Sequence, residues 1–371
     1  MIRHVLITND FPPKVGGIQA YLGEIYQRMD PESFMVITTA VPGCEDFDRG
    51  FGAPIVRLGK RLLPTPATIK TLRHMIASFS PQLVIYDPIF PIGAVGPALG
   101  LPYALIAHGA EVRVPAYVPV LRRQLQRTIR GSLGVVAAGG YPADEVRRLV
   151  ADTKVMVVPP GIAVDRYAPV AEHDRTRLRR SWMSHPDDQL ILFVSRLVPR
   201  KGADTLLRAA AQLDPRLKTE IHVVGDGRDW SRLRRLALGV SHPVVFHGSL
   251  PEAAKIELYQ AADLFVFPAR DRWLGIEREG FGIVILEAQA CGTPAIIGSS
   301  GGTREALSPT TGHLLRAGGV DELAAVLGGV LARPAQLTLH RSETSAYVRT
   351  HFDYDRLGKA YEESLHNLVN G

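Results

Sequence analysis

The chain has 371 residues, of which 46% are hydrophobic and 22% are charged. This composition excludes a wholly disordered chain, and the length suffices for two domains that each bury a core. A formal net charge of +6 suits anionic ligands or an anionic membrane surface, but it is too small for a nucleic-acid-coating protein. The two cysteines, Cys44 and Cys291, exclude a disulfide framework and a cysteine-based zinc site, which predicts a reducing, cytosolic setting.

The first apolar run is short and meets Asn9 and Asp10, so we expect a buried first strand here and not a signal peptide. Residues Pro88 to Ala107 carry no charge over 20 residues, which is the length of a membrane span. Four prolines and three glycines interrupt this stretch and would break a continuous helix. We therefore expect a loop, a short helix and a strand here.

Short apolar runs alternate with amphipathic stretches along the chain, which predicts βα units with parallel sheets covered on both faces. The predicted strands of the first half are His4–Ile7, Met35–Thr38, Ile55–Leu58, Leu83–Tyr86, Tyr103–Ala107, Val135–Ala138 and Val155–Val158. Those of the second half are Leu190–Ser195, Ile221–Val224, Val244–Phe246, Leu264–Phe267 and Pro294–Ile297.

A segment rich in proline and glycine, residues 157–170, divides the two halves. We expect an α/β protein made of two doubly wound, Rossmann-like domains that face a cleft. Ligands of such sheets bind at the carboxyl ends of the strands, so the cleft is the expected site. The predicted domains are residues 1–165 and 166–345, followed by a C-terminal helix over residues 346–371.

Two motifs with familiar spacing carry little weight. Gly225 and Gly227 approach a dinucleotide-binding fingerprint, but Trp230 occupies the position of its third glycine, so hydride chemistry on NAD is weakly supported. Asp46 and Asp48 form a D-x-D pair that could hold a divalent metal. They lie in a segment rich in proline and glycine, which favours a solvated acidic loop.

Gly16 and Gly17 follow the first predicted strand and precede a predicted helix. Their backbone N–H groups, with the unpaired N–H groups of the first helical turn, form an environment that binds phosphate oxygens. A plain strand-to-helix turn explains the two glycines equally well.

Arg196 and Lys201 follow the predicted strand Leu190–Ser195 and precede a helix. A guanidinium and an ammonium in such a loop can clamp a diphosphate. Taken alone they could be solvated surface cations, but the carboxyl end of a strand favours a binding role.

The strongest local signal is the run from Glu279 to Glu287, with Gly280 and Gly282 beside the first glutamate. The glycines let the backbone approach a ligand closely, and a helix that starts near Gly282 adds an anion-binding N-terminus. Glu287 lies about one and a half turns inside that helix, so we expect both carboxylates to point into one cleft. Carboxylates accept hydrogen bonds from paired hydroxyls, as on a sugar or a ribose.

His108 stands at the carboxyl end of the predicted strand Tyr103–Ala107 and is followed by a glycine. That position favours a side chain that faces the cleft. Because core histidines are common, a structural role fits as well as a functional one.

A basic face follows in the predicted helix Ala116–Arg130, where Arg123, Arg127 and Arg130 have i, i+4 and i+7 spacing. The neighbouring apolar stripe consists of Leu121, Leu125 and Ile129. A helix lying on an anionic bilayer fits this pattern. A core-packed helix with a solvated basic face fits it too.

Together these motifs resemble those of retaining glycosyltransferases of family 4, which have the GT-B fold. The resemblance covers nearly the whole chain: the Gly-Gly loop, the strand-terminal histidine, the S-R-L-x-x-x-K-G element, and E-x7-E followed by G-x-P-x-I. The opening TNDFPPKVGGIQAYL and the run SRLVPRKG are most similar to actinobacterial phosphatidylinositol mannosyltransferases, which use GDP-mannose.

The resemblance implies a role for each motif. Arg196 and Lys201 would hold the donor diphosphate, and Glu279 would orient the transferred sugar. Glu287 would bind the ribose hydroxyls, while His108 would approach the sugar near its 6-hydroxyl.

The implied catalytic residues are His108, Arg196, Lys201 and Glu279. The implied donor-binding residues are Gly16, Gly17, Arg196, Lys201, Leu250, Glu279, Gly280, Phe281, Gly282, Ile283 and Glu287, with Leu250 beside the base. The residues implied on the acceptor or membrane side are Asp10, Gln19, Arg123, Arg127 and Arg130.

The implied reaction is retaining and needs neither a metal nor a cofactor. The first domain would bind the acceptor, the second the nucleotide-sugar, and the C-terminal helix would cross back to the first. We expect transfer of a hexose, mannose from GDP-mannose, to a lipid such as a phosphatidylinositol mannoside at the inner face of the plasma membrane, with no nucleic-acid partner. The alternatives are a UDP-sugar donor with a soluble or other lipid acceptor, a nucleotide-sugar epimerase of the same fold, and a non-catalytic nucleotide-sugar-binding module.

Overall fold

The computed structural model describes residues 2–59, 61–316 and 319–371, which form two compact units. Unit 1 comprises Met1–Gly161 and Tyr354–Gly371, and unit 2 comprises Ile162–Asp353. The chain passes from unit 1 to unit 2 after Gly161, four residues before the predicted boundary at 165/166. It returns to unit 1 after Asp353, eight residues after the predicted boundary at 345/346. Packing explains the second difference, because Phe352 belongs to the core of unit 2 and Tyr354 to that of unit 1.

Unit 1 is built on a seven-stranded sheet in which every pairing between strands is parallel. Its strands are β1 (His4–Thr8), β2 (Phe34–Thr39), β3 (Ile55–Leu58), β4 (Leu83–Asp87), β5 (Tyr103–Ala107), β6 (Val135–Ala137) and β7 (Val155–Val157). Its first helices are α1 (Gly17–Tyr26), α2 (Cys44–Phe51), α3 (Pro66–Ala77), α4 (Gly96–Leu99), α5 (Ala110–Ala116), α6 (Pro119–Arg130) and α7 (Gly140–Leu149), with a 3-10 turn at Ile92–Val95. The strand order is β3-β2-β1-β4-β5-β6-β7.

Unit 2 contains a six-stranded sheet, again with parallel pairing throughout. Its strands are β8 (Gln189–Val194), β9 (Thr219–Val224), β10 (Val244–Gly248), β11 (Leu264–Phe267), β12 (Ala295–Gly298) and β13 (His313–Leu315), in the order β10-β9-β8-β11-β12-β13. Its helices are α8 (Glu172–Trp182), α9 (Ala203–Ala210), α10 (Trp230–Ala237), α11 (Glu252–Ala261), α12 (Ile283–Ala290), α13 (Val320–Leu331) and α14 (Pro334–Phe352). Two 3-10 turns lie at Pro199–Lys201 and Thr303–Ala306. The last helix, α15 (Tyr354–Asn370), belongs to unit 1.

The expected α/β class with two parallel-sheet units is confirmed. The stretch from Pro88 to Ala107 forms a 3-10 turn, the short helix α4 and strand β5, as predicted. Among the described residues, no helix combines the length and the apolar character needed to cross a membrane. Cys44 and Cys291 are both free thiols.

Both sheets reverse their strand order beside their first strand, since β1 lies between β2 and β4, and β8 lies between β9 and β11. Such a reversal separates the crossing connections and leaves room for a ligand at the carboxyl ends of the strands. In unit 1, Asp87 ends β4 and His108 directly follows β5. In unit 2, Arg196 follows β8 by two residues. The chemistry-bearing side chains therefore stand where parallel sheets admit ligands.

The acidic segment near Asp46 is a helix, and the expectation of a loop was wrong. Asp46 and Asp48 lie on α2, whose Phe47 and Phe51 contact the buried ring of Phe11 at centroid distances of 6.3 and 5.4 Å. This aromatic packing fixes the helix against unit 1. Asp46 is exposed and pairs with an arginine on the same helix, while Asp48 pairs with Arg57 at 2.7 Å.

His4 is a fully buried histidine in the first strand of unit 1. Its Nδ1 bonds the backbone oxygen of Ile2 at 2.9 Å, and its ring lies beside Tyr26 and Phe34 at centroid distances of 5.6 and 6.0 Å. Its Nε2 has no hydrogen-bond partner among the described residues. Burial lowers the pKa of His4 to about 4, against the raising effect of the bond to Ile2.

This lowered pKa makes the stability of unit 1 depend on pH. The unfolded chain binds a proton near pH 6.5 and the folded chain only near pH 4, so stability falls as the pH drops between these values. At pH 5 we expect the free energy of unfolding to be about 2 kcal/mol lower than at pH 7.5 on account of His4. Denaturant unfolding of wild type and His4→Gln at both pH values measures the difference. The control is His74→Gln, which removes an exposed histidine of α3 and should keep the wild-type pH dependence. If His4→Gln also keeps the wild-type pH dependence, the prediction is wrong.

Candidate active site

The loop after β8 carries the predicted cations of unit 2. Arg196 is exposed, and its side chain makes no hydrogen bond or ion pair within the ranges that the structure covers, while its backbone oxygen accepts from the nitrogen of Val198 at 2.9 Å. Lys201 ends a 3-10 turn and is buried, with 8% of its surface exposed. The backbone of Leu197 fixes the loop, since it donates to the oxygen of Asp226 at 2.8 Å and accepts from the nitrogen of Asp229 at 3.1 Å.

Gly225 and Gly227 serve this loop rather than a dinucleotide. A Cβ atom on Gly225 would stand 1.9 Å from the backbone oxygen of Ser195, and one on Gly227 would stand 2.4 Å from that of Leu197. Both glycines also adopt positive φ angles, of 126° and 157°. The glycine pair therefore lets the loop after β9 lie directly against the segment that contains Arg196.

Lys201 and Arg200 share the buried carboxylate of Glu279. The Nζ of Lys201 lies 2.7 Å from Oε2 of Glu279, and Nη1 of Arg200 lies 2.5 Å from the same oxygen. Arg200 also reaches Glu277, with 3.5 Å between Nε and Oε1. Burial by itself would raise the pKa of Glu279, but Lys201 and Arg200 hold it below its usual range. Arg196 is close enough to shift the pKa values of Lys201 and Glu279, and Arg272 pairs with Glu277 at 3.3 Å. Four cations therefore face two carboxylates, so the cluster attracts anions.

Arg200 is a site residue that sequence reasoning missed. The Arg-Lys doublet was visible, but only the tertiary structure reveals that both cations bind one carboxylate. The Arg200 backbone oxygen also accepts from the nitrogen of Arg270 at 2.9 Å, which ties the loop after β11 to the same cluster. Arg270 in turn binds Asp204 of α9 with a two-nitrogen contact, at 2.9 and 3.0 Å.

The backbone around Glu279 is fixed from the other side by the loop after β12. The nitrogen of Glu279 donates to Oγ of Ser300 at 3.1 Å, and its oxygen accepts from the nitrogen of Gly302 at 3.2 Å. Gly282 is the N-cap of α12, which confirms the predicted helix start, and Gly280 and Ile283 flank it. The Phe281 side chain is 5% exposed and packs against Phe352, so its ring belongs to the core and only its backbone is open to a ligand role.

Glu287 lies on α12, as predicted, but its contacts differ from those of Glu279. Its Oε2 accepts a hydrogen bond from the hydroxyl of Tyr259 at 2.7 Å. Burial raises the pKa of Glu287, against the lowering effects of Lys255 and Tyr259. The two glutamates thus have separate partners and opposite pKa shifts. Leu250 is half-buried between β10 and α11, beside the core of unit 2.

In unit 1, the glycine loop leads into α1, which starts at Gly17 with Gly16 as its N-cap. Both glycines are exposed. Gln19 on the first turn is buried and donates from Nε2 to Oδ1 of Asp10 at 2.7 Å, while Lys14 pairs with the same carboxylate. The structure thus joins Asp10 and Gln19 directly.

His108 belongs to a polar network and is not an apolar core histidine. Its Nε2 lies 2.5 Å from Oδ1 of Asp87, a fully buried carboxylate at the end of β4. The hydroxyl of Thr8 donates to the other oxygen, Oδ2, at 2.7 Å. Glu111 accepts from the backbone nitrogens of His108 and Gly109 at 2.5 and 3.1 Å. Sequence reasoning missed Asp87, although an aspartate that ends a buried strand was a usable signal.

The basic segment forms two helices instead of one helix over 116–130. Helix α5 ends at Ala116, and α6 starts at Pro119, which lacks the N–H that a continuous helix would need. Arg123, Arg127 and Arg130 are all exposed on α6. Leu125 and Ile129 of the same helix are buried, as the predicted apolar stripe requires.

Family models match both halves of the chain: "Glycosyltransferase Family 4" at residues 15–166 and "Glycosyl transferases group 1" at residues 174–347. A GDP-mannose-dependent monoacylated alpha-(1-6)-phosphatidylinositol monomannoside mannosyltransferase of Corynebacterium glutamicum is 32% identical, over 99% of this chain and 97% of that protein. A D-inositol 3-phosphate glycosyltransferase of Geodermatophilus obscurus is 31% identical, over 92% of this chain and 82% of that protein.

Solved structures support the same fold. The crystal structure of Anabaena HepE in complex with UDP has a TM-score of 0.83 and 20% identity, and it covers 98% of this chain and 100% of that one. The similarity in sequence extends over nearly the full length and includes both units. The chain therefore belongs to the family 4 glycosyltransferases and has the GT-B fold.

Proposed function

We propose that this chain is a retaining mannosyltransferase that moves mannose from GDP-mannose to a membrane lipid of the phosphatidylinositol mannoside class. The observation that carries the proposal is the cluster of Arg196, Arg200 and Lys201 around Glu279, because its excess of cations suits the diphosphate of a nucleotide-sugar. The name of the C. glutamicum relative, which is similar along nearly the whole chain, supports GDP-mannose and the lipid acceptor.

The proposed reaction exchanges one bond at the anomeric carbon of mannose. The bond from this carbon to the diphosphate oxygen breaks, and a bond to an acceptor hydroxyl oxygen forms on the same face, so the configuration is retained. The hydroxyl proton passes to a phosphate oxygen of the departing GDP. Arg196 and Lys201 stabilise the negative charge that develops on the diphosphate. Glu279, which its two cations keep ionised, accepts hydrogen bonds from sugar hydroxyls.

A soluble acceptor is the second candidate. The G. obscurus relative is named for D-inositol 3-phosphate, and its identity of 31% is close to the 32% of the C. glutamicum relative. Both acceptors carry an inositol with a phosphate. They differ in the lipid and in the mannose that a phosphatidylinositol mannoside already carries, so transfer to each acceptor is tested separately.

A donor and acceptor panel tests the proposed function. We expect GDP-mannose to support transfer to phosphatidylinositol mannoside, and UDP-sugars to support much less. Transfer should continue in EDTA, because we propose that cationic side chains, and no metal, hold the diphosphate. Transfer from a UDP-sugar to inositol 3-phosphate would favour the second candidate, and an epimerised donor without a glycosylated product would favour an epimerase. Loss of activity in EDTA that Mg²⁺ restores would contradict the proposed metal independence.

The diphosphate clamp makes a second prediction. Arg196→Ala and Lys201→Ala each remove a charge-assisted contact that strengthens in the transition state, so each should lower kcat/KM by about 100-fold or more. Arg208→Ala, which removes an exposed arginine of α9, is the matched control and should retain wild-type kinetics. Near-normal transfer by both clamp variants would contradict the assignment.

The proposed membrane contact rests on the surface of α5 and α6. Four exposed apolar side chains lie where the two helices meet, next to the basic face of α6. These side chains are Val114, Tyr117, Val118 and Val120, with exposed fractions of 47%, 57%, 47% and 71%. Exposed apolar groups beside cations suit the surface of an anionic bilayer. Each basic residue near such a surface contributes about 1 kcal/mol to binding.

Vesicle co-sedimentation tests this contact. Replacing Arg123, Arg127 and Arg130 together by Ser should weaken binding to phosphatidylinositol-containing vesicles and slow transfer to the lipid, while nucleotide-sugar binding remains. High salt should weaken wild-type binding in the same way, because it screens the charges. The control removes three exposed cations from separate helices of unit 1, with Arg49, Lys70 and Arg147 replaced by Ser. Equal sedimentation of the two triple variants would contradict a specific role for α6.

A further inference from the structure

Asp87 is a fully buried carboxylate to which the reaction described above gives no role. We propose that Asp87 is a positioning residue that holds His108 as an imidazolium, with Nε2–H bound to Asp87 and Nδ1–H left to donate to an oxygen of the sugar-nucleotide. This inference rests on the proposed function, since that function supplies the sugar-nucleotide as the ligand of His108.

The network leaves Asp87 little freedom to move. Its Oδ1 binds His108 and its Oδ2 accepts from the hydroxyl of Thr8, so each oxygen has a partner. Thr8 is itself held by the backbone nitrogen of Asp10, which donates to its hydroxyl oxygen at 2.8 Å. Thr8 and Asp87 are also direct neighbours in the pairing of β1 with β4. Asp87 therefore offers its carboxylate in one geometry, and this geometry fixes the ring of His108.

The groups that face His108 favour a positive charge on its ring. Asp87 on β4, Glu111 on α5 and Asp10 after β1 are acidic, and each acts to raise the pKa of His108. Tyr21 on α1 places its ring at a right angle to the imidazole, with 5.9 Å between centroids. Burial alone would lower the pKa of His108, but the carboxylates outweigh it and raise the value above 6.5.

A cation, Lys14, lies at the outer end of this network. Lys14 pairs with Asp10 and has 44% of its side chain exposed, so solvent screens its effect on His108. Asp87, in contrast, is fully shielded from water and touches the ring directly. The charge of Asp87 therefore dominates the protonation of His108.

The state of His108 decides what it can do. With Nε2–H engaged by Asp87, Nδ1 is the ring nitrogen that makes no hydrogen bond to the described residues. A protonated Nδ1 donates to a phosphate or sugar oxygen, and its positive charge stabilises negative charge at that oxygen. A neutral ring held in the same way would present a lone pair, which repels a phosphate oxygen and can only accept a hydrogen bond from a sugar hydroxyl, without stabilising negative charge. The proposed role thus makes the reaction sensitive to loss of the His108 proton at high pH.

The kinetic test compares Asp87→Asn with wild type between pH 6 and pH 9. We expect wild-type kcat/KM to fall at high pH as His108 loses its proton, and this fall to move to lower pH in Asp87→Asn. The variant should lose about 100-fold in kcat/KM at pH 8, and the loss should shrink as the pH falls towards 6 because a growing fraction of His108 binds its proton. Glu32→Gln, which neutralises an exposed carboxylate of unit 1, should keep the wild-type profile. An unmoved profile in Asp87→Asn would overturn the proposal.

A second measurement needs neither a substrate nor a folded variant of Asp87. The measurement is an NMR titration of the carbon-bound imidazole protons in wild type, in which the His108 signal is identified by its loss in His108→Gln. We expect the chemical shift of this signal to change above pH 6.5. A His108 signal that is already neutral below pH 6.5 would overturn the proposal. Because the titration uses no donor or acceptor, it stays informative if the donor panel rejects GDP-mannose. In that case the pH profile is measured with the nucleotide-sugar that the panel selects.

Discussion

Parallel hydrogen bonding in both sheets restricts where polar side chains can stand. The central strands of both sheets are buried on both faces, so most of their interior side chains are apolar, with His4 as an exception, and their backbone groups bind each other. The first free positions are the strand ends. In unit 1, Thr8, Asp87 and His108 lie at the carboxyl ends of the neighbouring strands β1, β4 and β5, and they form one hydrogen-bonded series. In unit 2, Arg196 follows β8 and packs beside the glycine loop that follows β9.

The same restriction explains which parts of the fold could be predicted from the sequence. Strands β3, β5 and β11 were predicted at their observed bounds, because each is a short run that is apolar, apart from Arg57 in β3, and ends at a glycine, histidine or proline. Strand β13 was missed, since it has three residues at the sheet edge and His313 is exposed. The change of unit between Phe352 and Tyr354 could not be predicted either. A helical pattern runs through this point, and only the burial of the two rings in different cores reveals the division.

Within the sites, local sequence indicated the residues but not their partners. Arg196, Lys201 and Glu279 stand out because each is a charged residue in a loop between a strand and a helix. Arg200 and Asp87 gain their importance from contacts with residues 79 and 21 positions away, and no local pattern contains that information. The helix that carries Asp46 was missed for a related reason. Its turn-rich flanks suggested a loop, while the aromatic contacts that stabilise it come from distant Phe11 and Phe34.

The two units satisfy buried charge in different ways. Lys201 and Glu279 are each about nine-tenths buried, and a buried ion without a partner is costly, so each neutralises the other. In the proposed function, a diphosphate at Lys201 would compete with Glu279 for the ammonium group, and Arg200 would remain as the second partner of that carboxylate. In unit 1 Asp87 is a fully buried anion, and its bonds to Thr8 and His108 leave Nδ1 of His108 without a partner among the described residues. The buried carboxylate of unit 2 is thus neutralised by two cations, whereas that of unit 1 is held by a hydroxyl and an imidazole.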